Sequence, residues 1–369
     1  MHVSFSSYND ILRKHYFLPI LFVLSVFISF SDAHAAVVKG LYSQEVPVEG
    51  QNTLQRSEAM SQAFADVLVK VAGQREVLSN PLIQSALSTP ETYIREFSYR
   101  TEDVSENRQQ YFQAIFDERA VNQLLEKASV SIWGKNRPAT LIWLAIEGPE
   151  SRTLVNSADE LPKVFGQAFS QRGLPSLFPL MDVEDAAFIS AIDVWGGFSG
   201  KILQASKRYG SQSVLSGRLT EDSGLYYGRL NLIFRENSQS ALIKGLDSQG
   251  VALLASDLVG SILSHHYAVN TSNVSSKVSL TVENVGTLDD YAKLIKYLER
   301  VNAVREVEVA NVRGSVLGLE LTIDGSENQL ADALALGRSL EPVRLSNAQS
   351  SSDPVNDIAP MVYRWTGRQ

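Results

Sequence analysis

The residues of this chain that could do chemistry are few, and most of them are carboxylates. The sequence has no cysteine, and three of its five histidines precede Ala36, which leaves His265 and His266. Adjacent histidines on a helix point about 100° apart and do not share a face. Thiol catalysis is therefore excluded, and the usual zinc and transition-metal ligand sets cannot be assembled. We expect no metal site and no cofactor.

The candidate catalytic residues are Asp182, Glu184 and Asp185, which directly follow a strand-like stretch at 176–181. The carboxyl end of a strand in an α/β sheet often opens a ligand crevice. A glycoside hydrolase needs two carboxyl groups at a set separation, so these residues allow a carboxylate-based hydrolase acting on envelope glycan. The alternative is that they cap a helix or interact with its dipole, and then no catalytic residue is expected.

Two tryptophans stand beside glycine. Trp133 lies between the first two segments of the chain, and Trp195 lies with Phe198 in the stretch 193–198, which is predicted to be a loop. A tryptophan in such a position either anchors one domain on the next or contacts a partner protein. We interpret Trp133 as an interdomain anchor, and Trp195 and Phe198 as partner contacts. A core position remains the alternative for Trp195.

The N-terminal stretch has the pattern of a secretory signal peptide. Basic residues at 13–15 precede an apolar run at 16–30, and an Ala-x-Ala step at 33–35 predicts cleavage after Ala35. The run is shorter than the roughly 20 residues that a membrane-spanning helix needs. We therefore expect an exported, periplasmic protein with no integral membrane span after cleavage. An uncleaved N-terminal membrane anchor is the alternative.

The composition narrows the class of partner. The chain is 44% hydrophobic and 20% charged, as in folded soluble proteins, and its net charge is −8. An acidic chain is poorly suited to nucleic acid, because that binding depends on neutralising phosphates. We expect a protein partner in the cell envelope and no nucleic acid. The composition leaves the oligomeric state open.

The pattern of apolar residues divides the chain into a signal peptide at 1–35, a first domain at 36–135 and a second at 136–270. The first domain is predicted to be α+β. Its long helix has an apolar face that includes Leu54 and Phe64 and ends at Gly73. The predicted elements are a strand at 37–48, this helix, a short helix from Pro81, strands at 93–100 and 110–116, and a helix at 118–128.

The second domain contains a continuous apolar run at 139–146, which is typical of a strand buried on both faces. Its predicted order is β-α-β-α-β-β-β-α, an α/β sandwich in which parallel pairing gives way to a meander. The later elements are a helix at 159–171, a strand at 176–181, a helix ending at Gly210, strands at 214–220, 225–234 and 241–246, and a helix at 251–267.

The third domain, at 275–345, shows the order β-α-β-β-α-β of a ferredoxin-like fold, with a last strand at 342–345. The tail at 346–369 is rich in Ser, Asn and Asp and is predicted to be mostly disordered. The expected fold class is therefore α/β and α+β, in three small domains.

Several short motifs resemble a known family. They include 46–48 (VPV), 67–73 (VLVKVAG), 133–138 (WGKNRP) and 193–198 (DVWGGF). They are similar to the domain of unknown function DUF2066, which occurs in exported proteins of Gram-negative bacteria. The resemblance implies no established activity and no catalytic residues. More distantly, the second domain is similar to the amino-terminal domain of TolB and to envelope lipoproteins, which bind protein partners.

These observations together favour a periplasmic, non-catalytic protein-binding or scaffold protein of the bacterial cell envelope. The carboxylate-based hydrolase at Asp182, Glu184 and Asp185 is the alternative.

Overall fold

The computed structural model describes residues 36–104, 107–148, 151–270, 275–337, 339–343 and 361–367. The predicted signal peptide with its cleavage site, and most of the predicted disordered tail, lie outside these residues. Of the helices in the described part of the chain, none is long and apolar enough to cross a membrane.

The first segment is a three-stranded antiparallel sheet with one face covered by a long helix. The strands of this sheet are β2 (Ser43–Val48), β3 (Ile94–Val104) and β4 (Asn107–Phe116), and the segment also contains the short strand β1 (Ala36–Val37). Its helices are α1 (Thr53–Ala72), α2 (Pro81–Leu87) and α3 (Glu118–Lys127). The sheet order is β2-β4-β3, so Pro47 lies in an edge strand, where its missing N–H is tolerated. The Asn52 side chain caps α1, and Gly73 ends it with φ of 82°. Phe64 is fully buried, whereas Leu54 is exposed, so the prediction that Leu54 belongs to the buried face is wrong.

The second segment is built on a mixed sheet of order β11-β10-β9-β6-β7, with β8 also paired to β6. Its strands are β5 (Asn136–Arg137), β6 (Thr140–Glu147), β7 (Arg152–Leu154), β8 (Ser176–Leu177), β9 (Ser213–Asp222), β10 (Leu225–Phe234) and β11 (Asn237–Leu246). Strand β6 is buried on both faces and runs parallel to β9, after which β9, β10 and β11 form an antiparallel meander. Strand β5 pairs with β1 of the first segment.

Two helical layers cover this sheet. The helices are α4 (Glu160–Gln171), α5 (Val183–Phe188), α6 (Ala191–Trp195), α7 (Ser199–Ser206) and α8 (Ser248–Tyr267). Helices α4 and α8 bury Phe165 and Val259 in the core on one face of the sheet. Helices α6 and α7 bury Val194 and Ile202 against Trp143 on the other face.

The second segment departs from the prediction in several places, including the additional strand β7. The strand expected at 176–181 is confined to Ser176–Leu177, and α5 follows at Val183. The stretch 193–198 is a loop only in part, because α6 runs to Trp195. Helix α6 starts at a reciprocal capping box between Ser190 and Asp193, a local signal that the sequence does contain.

The third segment is a five-stranded sheet of order β13-β14-β12-β16-β15 with two helices. Its elements are β12 (Ser276–Glu283), α9 (Leu288–Leu298), β13 (Val304–Arg313), β14 (Val316–Ile323), α10 (Glu327–Leu336), β15 (Leu340–Pro342) and β16 (Met361–Trp365). Strand β16 lies parallel to β12 and separates it from β15. The ferredoxin-like prediction is therefore wrong about the last strand, which ends at Pro342 and lies at the sheet edge.

Strand β16 also shows that the tail is not disordered throughout. Trp365 is 1% exposed, and its Nε1 donates a hydrogen bond to Asp290 Oδ1 at 3.2 Å. Burial of this large ring is the physical reason that the strand docks between β12 and β15. The predicted mixed α/β class is confirmed, and the domain boundaries remain predictions.

Candidate functional site

The three candidate carboxylates lie close together at the start of α5, where they cap the helix and pair with one cation. The Asp182 side chain accepts a hydrogen bond from the Asp185 N–H at 3.0 Å. The Arg208 guanidinium donates to Asp182 Oδ1 at 2.6 Å and to Asp185 Oδ1 at 3.0 Å. Glu184 is more exposed and lies 3.6 Å from the same guanidinium. The cluster therefore ties the start of α5 to the turn after α7.

The surroundings of the two aspartates favour the capping interpretation over the catalytic one. Arg208 holds the pKa of Asp182 well below its usual range, so this carboxyl stays ionised and has no proton to donate. Asp185 is 1% exposed and accepts further bonds from Met181 N–H at 2.9 Å and from the Tyr209 hydroxyl at 2.6 Å. These contacts use the oxygens of both carboxylates within the fold.

The two histidines do not form a shared site. His266 Nε2 lies 2.8 Å from Asp332 Oδ2, and burial lowers the pKa of its imidazole. His265 is exposed. Within the described residues, no group of three or more His, Asp or Glu side chains could hold a metal ion.

Trp133 lies where the first and second segments meet. It is 1% exposed, and its backbone N–H donates to the Val71 carbonyl near the end of α1 at 2.9 Å. Its ring stacks on Tyr267 at the end of α8, with centroids 6.4 Å apart and an interplanar angle of 9°. The Arg137 guanidinium carbon lies 4.2 Å from the centroid of the indole. Trp133 therefore joins an element of the first segment to one of the second.

Arg137 has a structural role in this region that the sequence analysis did not predict. It is fully buried, and all five of its N–H donors reach main-chain oxygens. Burial, together with the nearby Arg172, lowers its pKa to about 9. The acceptors are the carbonyls of Trp133 (2.7 Å), Gly134 (2.9 Å), Lys70 (2.7 Å), Arg172 (3.2 Å) and Gly173 (3.1 Å).

Arg172 completes this arrangement from the end of α4. It is 6% exposed, and its Nη2 donates to the Gly73 carbonyl at 3.3 Å. Its Nε lies 3.0 Å from Asp257 of α8, and Arg75 approaches the other oxygen of Asp257 at 2.8 Å. The guanidinium groups thus lie at the carbonyl ends of α1 and α4, where a positive charge suits the helix dipole. We call Trp133, Arg137, Arg172 and Tyr267 the junction.

Trp195 and Phe198 lie together on the other side of the second segment. Trp195 is half-buried at the end of α6, and the Arg152 guanidinium carbon lies 4.4 Å from its ring centroid. Phe198 precedes α7 and is 53% exposed. Its ring lies against Gly196, where an added Cβ would come within 2.9 Å of Phe198 Cζ. A larger residue at position 196 would therefore collide with the Phe198 ring.

The helices that carry these residues bury one side and expose apolar side chains on the other. Ile189, Val194 and Ile202 face the sheet and are nearly inaccessible. Between residues 180 and 203, six large apolar side chains are at least 40% exposed. We call these six residues the α5–α7 face: Leu180 (61%), Val183 (88%), Phe188 (47%), Ile192 (65%), Phe198 (53%) and Leu203 (40%).

This face is the surface of the second segment that best fits a functional site. Single exposed apolar residues are normal on proteins, but a run of them on adjacent helices is typical of an interaction surface. Aromatic residues such as Phe198 contribute most to such contacts because they bury a large area. The arrangement is suited to binding and offers no pair of reactive groups.

Comparison with known proteins gives a family match for the first segment. A family model described as a domain of unknown function (DUF8605) matches residues 35–134. The resemblance to DUF2066 inferred from short motifs is therefore wrong. The match ends just after Trp133, and the α5–α7 face lies outside it. Among curated proteins, none matches the chain.

Two solved structures show limited similarity. The homoserine dehydrogenase of S. aureus is 18% identical over 29% of this chain and 29% of its own, with a TM-score of 0.13. A formyltetrahydrofolate deformylase from Pseudomonas putida KT2440 is 13% identical over 51% of this chain and 90% of its own, with a TM-score of 0.16. At such TM-scores neither similarity carries an argument about this protein.

Proposed function

We propose that this protein is an exported, periplasmic protein of the bacterial cell envelope that binds another protein and has no catalytic role. The signal-peptide pattern at 1–35 supports the periplasmic location. The exposed apolar side chains of the α5–α7 face support the binding role, and they are the observation that carries the proposal. Trp195, Phe198 and Ile192 contact the partner.

The binding role is tested by photo-crosslinking in intact cells. A photoreactive amino acid replaces Phe198 or Ile192 in two variants. In a control variant it replaces Leu242 of β11, which is 52% exposed and thus matches Phe198 in accessibility. We expect one discrete crosslinked protein at Phe198 and Ile192 and none at Leu242. The same products at all three positions, or none at any of them, would contradict a specific interaction at this face.

The periplasmic location and the cleavage site are tested separately, on the mature protein. Fractionation of cells followed by amino-terminal sequencing should find the protein in the periplasmic fraction, beginning at Ala36. A protein that begins at Met1 and sediments with membranes would support the N-terminal anchor instead.

A further inference from the structure

A groove separates the first segment from α4 and has a volume of about 1310 Å³. One wall is the face of the β2-β4-β3 sheet that points away from α1, and the other is the side of α4 that carries Gly166, Gln167 and Ser170. Small-molecule and peptide sites commonly occupy clefts between structural units, with volumes of several hundred Å³ or more. This groove is large enough for a short peptide, and the α5–α7 face lies on the opposite side of the second segment's sheet.

The sheet wall of the groove is polar and internally ordered. Arg100 donates to Glu45 Oε1 at 2.9 Å and lies over the Tyr111 ring at 4.7 Å. Gln113 donates to the other oxygen of Glu45 at 3.1 Å. These bonds hold planar amide and guanidinium groups in place along the strands, where they can exchange hydrogen bonds with a ligand's main chain.

Lys70 lies at one end of this groove and has an unusual environment for a cation. It is 5% exposed, and its Nζ donates to the Ser43 carbonyl at 2.8 Å and to Gln44 Oε1 at 2.7 Å. An ammonium has three donors, so one is left over. In the described part of the chain, no carboxylate lies within ion-pair distance of this ammonium, and both of its hydrogen-bond acceptors are neutral. The charge of Asp66, one turn earlier in α1, offsets its burial only in part.

A buried cation without an anionic partner is unfavourable, and a bound anion would relieve it. Burial and the nearby Arg137 lower the pKa of Lys70 to about 8, because both disfavour the charged form of the ammonium. Lys39 lines the same end of the groove and adds positive charge. At the far end of the groove, Glu102 lies beside Gln109 and already pairs with Arg100 at 3.0 Å.

The spacing along the sheet gives the length of the ligand. Ile115 pairs with Ser43 beside Lys70, and Gln109 pairs with Glu102 at the far end. The six residue steps from Gln109 to Ile115 along β4 span about 20 Å. An extended peptide of about six residues has the same length.

We propose that this groove binds the C-terminal end of an extended peptide and that Lys70 pairs with its terminal carboxylate. The amide and guanidinium groups of the sheet wall bond to the peptide main chain. This site is independent of the α5–α7 face, so either proposal can fail without the other.

The test uses the full mature chain and a library of hexapeptides that lack Asp and Glu. One half of the library has a free C-terminal carboxylate and the other half a C-terminal amide. A hydrogen bond between two charged groups is strong, and we expect the free acids to be retained about tenfold better than the amides. Lys70→Met should abolish that preference, because it keeps the aliphatic stem that packs against Gly173 and removes the ammonium.

Two further variants keep the test decisive. Gly166→Trp places a large side chain in the groove, where a Cβ at Gly166 meets no other atom within 4 Å, and should abolish retention of both halves. Lys127→Met removes an exposed lysine from the last turn of α3 and should leave the preference unchanged. Equal retention of acids and amides by the wild type, or an acid preference that survives in Gly166→Trp, would overturn the proposal.

Discussion

The junction and the surroundings of Trp195 in α6 contain the same local arrangement in two different settings. Trp133 and Trp195 are each followed by glycine, and each has an arginine over its ring, Arg137 at 4.2 Å and Arg152 at 4.4 Å. Trp133 is 1% exposed, whereas Trp195 is half-buried. A cation–π pair therefore does not by itself tell an internal anchor from a surface contact, and burial makes the difference.

The two arginines differ in how their charge is compensated. Arg137 is surrounded by carbonyl oxygens at helix ends, and all five of its donors are used. Arg152 lies at the surface and pairs with Glu147 at 2.7 Å, with both side chains more than a third exposed. A surface pair of this kind adds about 1 kcal/mol or less to stability, so Arg152 can change partners when another protein binds.

The largest predicted difference between the two regions concerns the tryptophans themselves. Trp133→Ala should lower the free energy of unfolding by about 3–5 kcal/mol, since it leaves a cavity between α1 and α8. Trp195→Ala should lower it by about 1–2 kcal/mol, because only part of its ring is removed from water. Urea denaturation of the two variants measures both values.

Trp133→Phe serves as the control for the cavity. It keeps a ring beside Arg137 and removes the indole Nε1, which is buried and has no hydrogen-bond partner within the described residues. It should therefore be less destabilising than Trp133→Ala. Equal losses for Trp133→Ala and Trp195→Ala would mean that Trp195 is a core residue, and its assignment to a binding face would fail.

A second prediction compares Arg137 with Arg152 by replacing each of them with methionine. Arg137→Met should lower the free energy of unfolding by about 3 kcal/mol, because carbonyls of Lys70, Arg172 and Gly173 lose a buried donor. Arg152→Met should change it by less than about 1 kcal/mol. Thermal unfolding of both variants at one pH makes the comparison, and an Arg137→Met protein as stable as the wild type would show that the guanidinium is dispensable to the junction.

The sequence predicts the elements of both regions better than it predicts their roles. The run at 139–146, the helix ended by Gly73 and the meander of β9 to β11 follow from local periodicity, and the structure contains all of them. Helix α6 overlaps the stretch 193–198 that the sequence analysis places in a loop, although Ser190 and Asp193 carry its capping box.

Features that depend on distant residues were beyond reach of the sequence. Strand β16 forms because Trp365 is buried and donates a hydrogen bond to Asp290, which lies 75 residues earlier in the chain. Arg137 is buried only because the ends of α1 and α4 bring their carbonyls to it. The pairing of Asp182 and Asp185 with Arg208, more than 20 residues later, is another long-range contact that the local sequence does not predict.

The third prediction concerns pH and tests Lys70, whose carbonyl accepts a hydrogen bond from Arg137 of the junction. Lys70 has a pKa lowered to about 8 by burial and by Arg137, and Asp66 one turn earlier in α1 opposes that shift. Between pH 8 and the ordinary value of 10.5, the unfolded chain binds a proton at Lys70 that the folded chain does not. Stability from this group therefore rises with pH across that window, by on the order of 2 kcal/mol.

The measurement is the free energy of unfolding of the wild type minus that of Lys70→Met, from pH 7.5 to 10.5. Subtracting the variant removes the titration of all other groups, including Arg137. The difference should shift in favour of the wild type as the pH rises. Adding the free-acid hexapeptides should flatten the slope, because a carboxylate beside Lys70 stabilises its charged form and raises its pKa. A slope that is absent without peptide would mean that the buried ammonium is already compensated within the fold, and the groove would then lose its reason to prefer an anionic ligand.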